Sequence, residues 1–253
     1  MPGATVIPLR FRGQETPAPE VPRVLAAFSQ ALLRPPPKPP GLAACVGYLQ
    51  EEAVQLQSRQ MGMRALQNLR LSLFAAPGRD QEMALLWREA LATACFARVV
   101  AVNTRFDAPL LTGAGLLHRA GEISALRALA QAEREAGQRM VGPVMEEILN
   151  ARDDELVSRV TRCWSLPGEL RLLILRWREE QNRIQRPESV DLLTMAQAFA
   201  TELVHAATCT PGLVEAAREA LKLPMLMVEQ ARAASQGIES LLARLAPLPA
   251  ANA

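Results

Sequence analysis

Residues 86–101 read Leu-Trp-Arg-Glu-Ala-Leu-Ala-Thr-Ala-Cys-Phe-Ala-Arg-Val-Val-Ala, with no glycine or proline among them. The run reads as the body of a helix that begins at Asp80, its expected N-cap, and ends near Asn103. Upstream, residues 42–74 place apolar side chains at 46, 49, 53, 56, 63, 66, 69 and 73, close to a 3.6-residue period, and Ala75-Ala76-Pro77-Gly78 ends that helical stretch. Downstream, Asp107-Ala-Pro109 opens another helix, with Asp107 as its cap and Pro109 in its first turn. Gly121 is the expected stop. Glu122 to Ala136 makes the next helix, closed by Gly137. Val141 to Asn150 and Asp153 to Cys163 follow.

The rest of the chain keeps the pattern. Ser165-Leu-Pro167 starts a helix reaching about Asn182, and Pro187 starts one to about Ala207. Thr210-Pro211 caps a short one to Leu221, and Pro224 begins the last, which ends near Leu245. Thr5 to Arg12 alternates weakly and is the one strand candidate. No hairpin pair, internal repeat or long heptad run is present. The expected fold is all-α, an irregular multi-helix bundle of about ten helices.

Composition agrees. The chain has 253 residues, of which 49% are apolar and 21% charged, enough for a core of its own. Aromatics are only 4%, so Leu, Ala, Val and Met must fill that core, which favours helices. The net charge of +2 gives no general pull toward nucleic acid or an anionic membrane. Only Lys38 and Lys222 are lysines, which we read as the codon bias of a GC-rich genome. Cys45, Cys95, Cys163 and Cys209 lie dozens of residues apart without zinc-ligand spacing, and read as reduced, buried thiols of a cytoplasmic protein. No signal-peptide pattern and no apolar run of roughly 18 residues is found. A secreted disulfide scaffold, a membrane-spanning protein and a disordered chain are thereby excluded.

Three regions are expected. Residues 1–40 are a proline-rich segment and linker, mostly uncovered, with a short helix at Val21 to Leu33 and a polyproline run at Pro35–Pro40. Residues 41–79 form an N-terminal helical part, and residues 80–253 the main helical domain. Nucleotide-binding and hydrolase signatures (P-loop, GxGxxG, GxSxG, HExxH) are absent from the sequence. Gly113-Ala-Gly115 falls inside a helix and reads as a site of close helix packing. Arg171, Arg176, Arg178, Arg183 and Arg186 alternate with Glu169, Glu179, Glu180 and Glu188, the pattern of a solvated, salt-bridged face. Met225 to Val228 reads as a core stripe, with partner binding the sharper alternative.

Three segments, in order, carry a resemblance: residues 86–101, Gly115-Leu-Leu-His-Arg-Ala-Gly-Glu122, and Cys163-Trp-Ser-Leu-Pro-Gly-Glu-Leu170 with Arg176-Trp-Arg178. Together they resemble the HDOD domain of bacterial signalling proteins, an all-helical relative of the HD-superfamily metal-dependent phosphohydrolases. The second segment is similar to that family's GLLHDIG helix end, and the third to its W-x-LP turn. The likeness covers roughly residues 80 to 207. The DP and NSA-like segments usual in the N-terminal half of such chains are not found in Gly41 to Gly78.

The resemblance implies where metal ligands would fall. The first ligand His corresponds to Glu89, and the His-Asp pair to His118 and Arg119. The later His pair corresponds to Trp177 and Arg178, the final Asp to Gln197, and a further His of the family would fall near Asp153. A metal in such a site would acidify a bound water and neutralise phosphate charge. Of these positions only His118 keeps the expected ligand, and Arg119 brings a fixed positive charge to the place of the bridging Asp. His205 is the sole other histidine. We therefore expect no metal, no cofactor and no catalysis. Arg119 with Glu89 reads instead as an ion pair tying two helices, and Trp87, Trp164 and Trp177 as core residues.

The function implied is that of a catalytically inactive, HDOD-like protein acting through protein partners of a bacterial signalling pathway. Two-component or cyclic-di-nucleotide circuits and motility are the family's usual settings. No nucleic-acid or membrane partner is expected, and a homodimer is compatible with this reading. The partner cleft would lie between the helices bearing Glu89, His118 and Trp177. Two alternatives stand beside it. One is a residual nucleotide phosphohydrolase using Glu89, His118 and an acid such as Asp153 or Asp191. The other is a regulatory module in which Arg119 and Arg178 hold a phosphate or nucleotide without cleaving it.

Overall fold

A computed structural model describes residues 21–34, 37–50, 56–102, 104–140, 153–180, 187–205 and 222–247, together with 212, 214–215 and 218–219. The fold is all-α, and no strand occurs among the described residues. The helices are α1 (Val21–Leu32), α2 (Leu42–Gln50), α3 (Leu56–Leu73), α4 (Asp80–Ala101) and α5 (Ala108–Leu117), followed by α6 (Ala120–Ala136), α7 (Asp153–Cys163), α8 (Gly168–Glu180), α9 (Glu188–Val204) and α10 (Met225–Leu245). The strand candidate at Thr5 to Arg12, the Val141 to Asn150 helix, the Thr210-Pro211 cap and Cys209 lie outside the described residues.

The alanine-rich stretch at 86–101 forms the axis of the bundle. Trp87, Leu91, Ala94, Phe96 and Val100 are all buried, so α4 has no broad solvent face. Helices α5, α9 and α10 pack around it. Small side chains on α4 let these neighbours come close, and dispersion contacts grow with that closeness. Phe96 stacks on Phe199 of α9 with ring centroids 5.2 Å apart. The indole N–H of Trp87 donates to Leu245 O at 2.9 Å, fixing the end of α10 against the start of α4.

The tightest approach is that of α5. A Cβ on Gly115 would sit 2.7 Å from Ala94 Cα and 2.8 Å from Ala94 N, which is backbone and cannot swing aside. Glycine is required there because the two backbones touch. At Gly113 a Cβ would meet Leu170 and Val46 side chains at 3.5 Å, an ordinary contact. The expected packing role thus belongs to Gly115.

Several boundaries differ from those read in the sequence. Residues 42–74 are not one helix. Tyr48 of α2 lies against Gly62 of α3, so the chain doubles back, and the 3.6-residue periodicity ran on through two helices that share one buried side. Asp80 is the first helical residue, not the cap. Arg79 holds the cap position, while Asp80 Oδ2 faces Gly78 N at 3.4 Å. Gly121 lies in the first turn of α6 and stops nothing; the break falls at His118 and Arg119. Asp107 does cap α5, accepting from Leu110 N at 2.9 Å, and Gly137 ends α6 at φ 69°.

The proline-rich segment is not mostly uncovered where it is described. Val24 and Phe28 of α1 are buried in a second core with Ala125, Leu129 and Ala132 of α6 and Leu156 of α7. Two arginines hold this part together. Arg79, only 1% exposed, donates from Nε to Glu133 Oε2 at 3.0 Å and from Nη1 to Glu82 Oε1 at 2.7 Å, and it also reaches Met140 O. Arg127 Nη1 serves the last carbonyls of α3 and the turn beyond, bonding Ser72 O at 2.8 Å and Ala75 O at 2.7 Å. In the C-terminal stripe Met227 and Val228 are buried, whereas Met225 and Leu226 are exposed.

Gly115→Ala is expected to force α5 from α4 and lower stability by about 1–3 kcal/mol or more. Gly113→Ala is expected to be neutral or to raise stability by up to about 1 kcal/mol, since a helical glycine is replaced without a clash. Urea denaturation of the two variants checks the contrast. Equal losses would show that the close contact is not where the structure places it.

Candidate functional site

The register set at Gly115 and Ala94 builds the site. Four residues past Gly115, just beyond the end of α5, and five residues back along α4 from Ala94, the antiparallel pair brings Arg119 to Glu89. Arg119 Nη1 donates to Glu89 Oε2, and its Nε forms an ion pair with Glu122 Oε2 at 3.0 Å. The end of α9 closes the group: His205, the C-cap residue of that helix, places Nε2 on Glu89 Oε1. One carboxylate is thus shared by partners from the α5–α6 junction and from α9. The Glu89 side chain is 11% exposed, and those of Arg119 and His205 about a quarter.

Burial, then the Arg119 guanidinium nearby, hold His205 below the ordinary histidine value. The imidazole is therefore neutral at pH 7, with Nε2–H donating to the carboxylate. His205 was visible in the sequence only as an unassigned second histidine. No local pattern could pair it with Glu89, which lies 116 residues away.

His118 parts company with its neighbour Arg119. Its ring is 1% exposed, and Nδ1–H donates to Gly115 O at 2.7 Å. The ring stands edge-on to Trp177 of α8, with centroids 5.0 Å apart and planes at 87°. The other ring nitrogen, Nε2, and the Trp177 indole nitrogen are both buried without a hydrogen-bond partner in the protein. Burial pulls the His118 pKa down to about 4.

The remaining candidates are scattered. Gln197 is half-buried on α9. Asp153 opens α7 and Arg178 follows Trp177 on α8; their side chains lie outside the described residues. The structure therefore joins Glu89 with Arg119, and separately His118 with Trp177. Among the described residues, no group of three or more His, Cys, Asp and Glu side chains is placed to hold a metal ion. Trp87, Trp164 and Trp177 are core residues. Cys45 and Cys95 are buried free thiols with pKa values pushed up to about 12 by burial, so neither is a ready nucleophile. Cys163 is half-buried. Among the described residues no helix is long and apolar enough to cross a membrane.

The comparison with known families gives the class: a signalling-related, HD-like domain. The HDOD domain family matches residues 51–179, just over half of the chain, and the chain belongs to that family. The match begins at 51, so it takes in α3, which the sequence resemblance had left out. It ends before α9, so Gln197 and His205 lie beyond it. No curated protein matches the chain, and no solved structure does.

Two outcomes test this geometry. The Arg119 cation disfavours an imidazolium at His205, so Arg119→Gln is expected to raise the His205 pKa in an NMR titration. An unchanged His205 titration would separate the two side chains. For His118, the folded pKa of about 4 lies below the unfolded value of 6.5. Its contribution is whole above pH 6.5 and is lost as the pH falls toward 4, by roughly 3 kcal/mol in full. Urea unfolding at pH 7 and near pH 4.5 should show that loss, and His118→Gln should remove its share of the slope.

Proposed function

We propose that this chain is a non-catalytic HDOD protein that works by binding a protein partner in bacterial signal transduction. The observation that carries the reading is the ion pair at Glu89. Arg119 stands where a bridging Asp would be expected, and its guanidinium sits on the one carboxylate that could replace a ligand histidine. A divalent cation entering there would meet a permanent positive charge. His118, the one retained ligand type, has its Nδ1 on Gly115 O and its ring packed on Trp177.

The same arrangement bears on the alternatives. A phosphate held by Arg119 would compete with both Glu89 and Glu122. Hydrolysis would require His118 and Glu89 to face one centre, whereas they belong to separate contacts. A partner would reach this cleft through Arg119, Glu122 and His205, each about a quarter exposed, because His118 and Trp177 are in the core.

The test is metal content together with turnover. Purified untagged protein, dialysed against a weak chelator, is expected to carry less than about a tenth of an equivalent of iron, manganese or zinc. It should also release no phosphate from nucleotides when those metals are supplied. Near one equivalent of metal, or turnover abolished by Glu89→Ala, would overturn the non-catalytic reading. For the partner, an affinity-tagged chain crosslinked in its own cells should capture a signalling protein, and Arg119→Glu should weaken that capture. Capture unaffected by the substitution would remove the cleft from the interface.

A further inference from the structure

A second site lies on the other side of α6 from the Glu89 cluster. Helices α1, α6 and α7 and the α3–α4 turn line a cavity of about 200 Å³ that is open to solvent on one side. Its wall carries four arginines, Arg34, Arg127, Arg134 and Arg159, and no carboxylate among the described residues. Ser124 also lines it, is nine-tenths buried, and its Oγ has no hydrogen-bond partner in the protein. Leu32, Leu156 and Val160 supply apolar surface.

The cations are poorly compensated. Arg34 pairs with Glu135 at 3.3 Å and Arg134 also feels that carboxylate, which does not line the cavity; Arg127 and Arg159 have no ion pair with an acidic side chain among the described residues. Arg134 donates to Gln131 Oε1 at 2.5 Å, and Arg159 to Leu33 O. Arg127 is half-buried and spends Nη1 on three carbonyls. Burial pulls it below the ordinary arginine value with no carboxylate to hold it up. Each guanidinium has five N–H donors in a planar fork, so most of this donor capacity is not met by those bonds. A buried hydroxyl without a partner is costly and is seldom kept in a core.

We propose that this cavity binds a small organic phosphate, a phosphoryl group attached to a compact apolar body. The guanidinium forks suit a phosphate dianion, which accepts several charge-assisted hydrogen bonds at once. Ser124 supplies a further donor at the inner wall. The aliphatic side chains cover the uncharged body, and the volume suits a body of about one ring. Arg34 and Arg159 flank the end of α1, so a ligand here would tie the proline-rich segment to α6 and α7. This inference is independent of how the Glu89 cluster functions.

Phenyl phosphate is a suitable probe, titrated calorimetrically into the full-length chain. We expect one site with a Kd of about 1 mM or tighter. Arg159→Gln, at a half-exposed position, should weaken binding about tenfold. Ser124→Ala should weaken binding while raising the thermal stability of the ligand-free protein, because the unpaired hydroxyl is gone. A purely structural Ser124 would not give those opposite signs. Arg127→Gln is less informative, since it also uncaps α3. No heat up to about 5 mM probe, or binding unchanged in both Arg159→Gln and Ser124→Ala, would overturn the proposal.

Discussion

The contact between Gly115 and the Ala94 backbone constrains most of what surrounds it. It sets the distance between α4 and α5 below what any side chain allows. It also fixes their register, because a slide by one residue would drive a Cβ into a backbone. From that register follow the ends of both elements. Gly115 O becomes the acceptor for His118, which turns the chain at the end of α5. Arg119, freed from the helix, then reaches back to Glu89. The third element, α9, is aligned by the Phe96–Phe199 stack, and its last residue delivers His205 to the same carboxylate.

A different device holds the N-terminal side. Here the core is thinner, and arginines bridge elements that few apolar contacts connect. Arg79 takes both oxygens of Glu133 and the carbonyl of Met140, so the start of α4 is bound to the end of α6. A buried Arg–Glu pair gives modest net stability, because both ions must be desolvated, but its bidentate geometry admits one arrangement. Arg127 does similar work for the end of α3. The two sides of α6 therefore differ. One side faces a carboxylate shared by two donors, and the other faces a cavity rich in cations.

What could be read from the sequence was what depends on neighbours in the chain. Asp107 and Gly137 were legible because a cap needs only the next three or four residues. The all-α class was legible because alanine, leucine and the 3.6-residue period act locally. The pairing of Arg119 with Glu89 was reached through family resemblance, and the geometry places the two side chains together. What failed depended on contacts between distant segments. Periodicity could not show that residues 42–74 fold back on themselves, since both helices present apolar residues to the same core. Asp80 carried a capping residue type, yet Gly78 and the buried Arg79 set the turn, and the cap moved back by one position. Proline content suggested exposure for residues 1–40, but Val24 and Phe28 found a groove on α6 that no local rule reveals.

The charge state of the Glu89 cluster follows from the same geometry. Glu89 carries one negative charge and Arg119 one positive, and Glu122 adds a second carboxylate on the outer side of Arg119. A proton on His205 would gain attraction from Glu89, but it would also meet Arg119 and lose hydration. Burial outweighs the other influences, and Arg119 acts in the same direction, so the imidazole stays neutral. In that state it contributes a hydrogen bond without a charge, and Glu89 is satisfied without an excess cation in the cleft. A histidine here can accept a proton only as the pH falls below its ordinary range. The tie between α4 and α9 is therefore a steady hydrogen bond near neutrality, kept so first by burial and then by the Arg119 cation beside it.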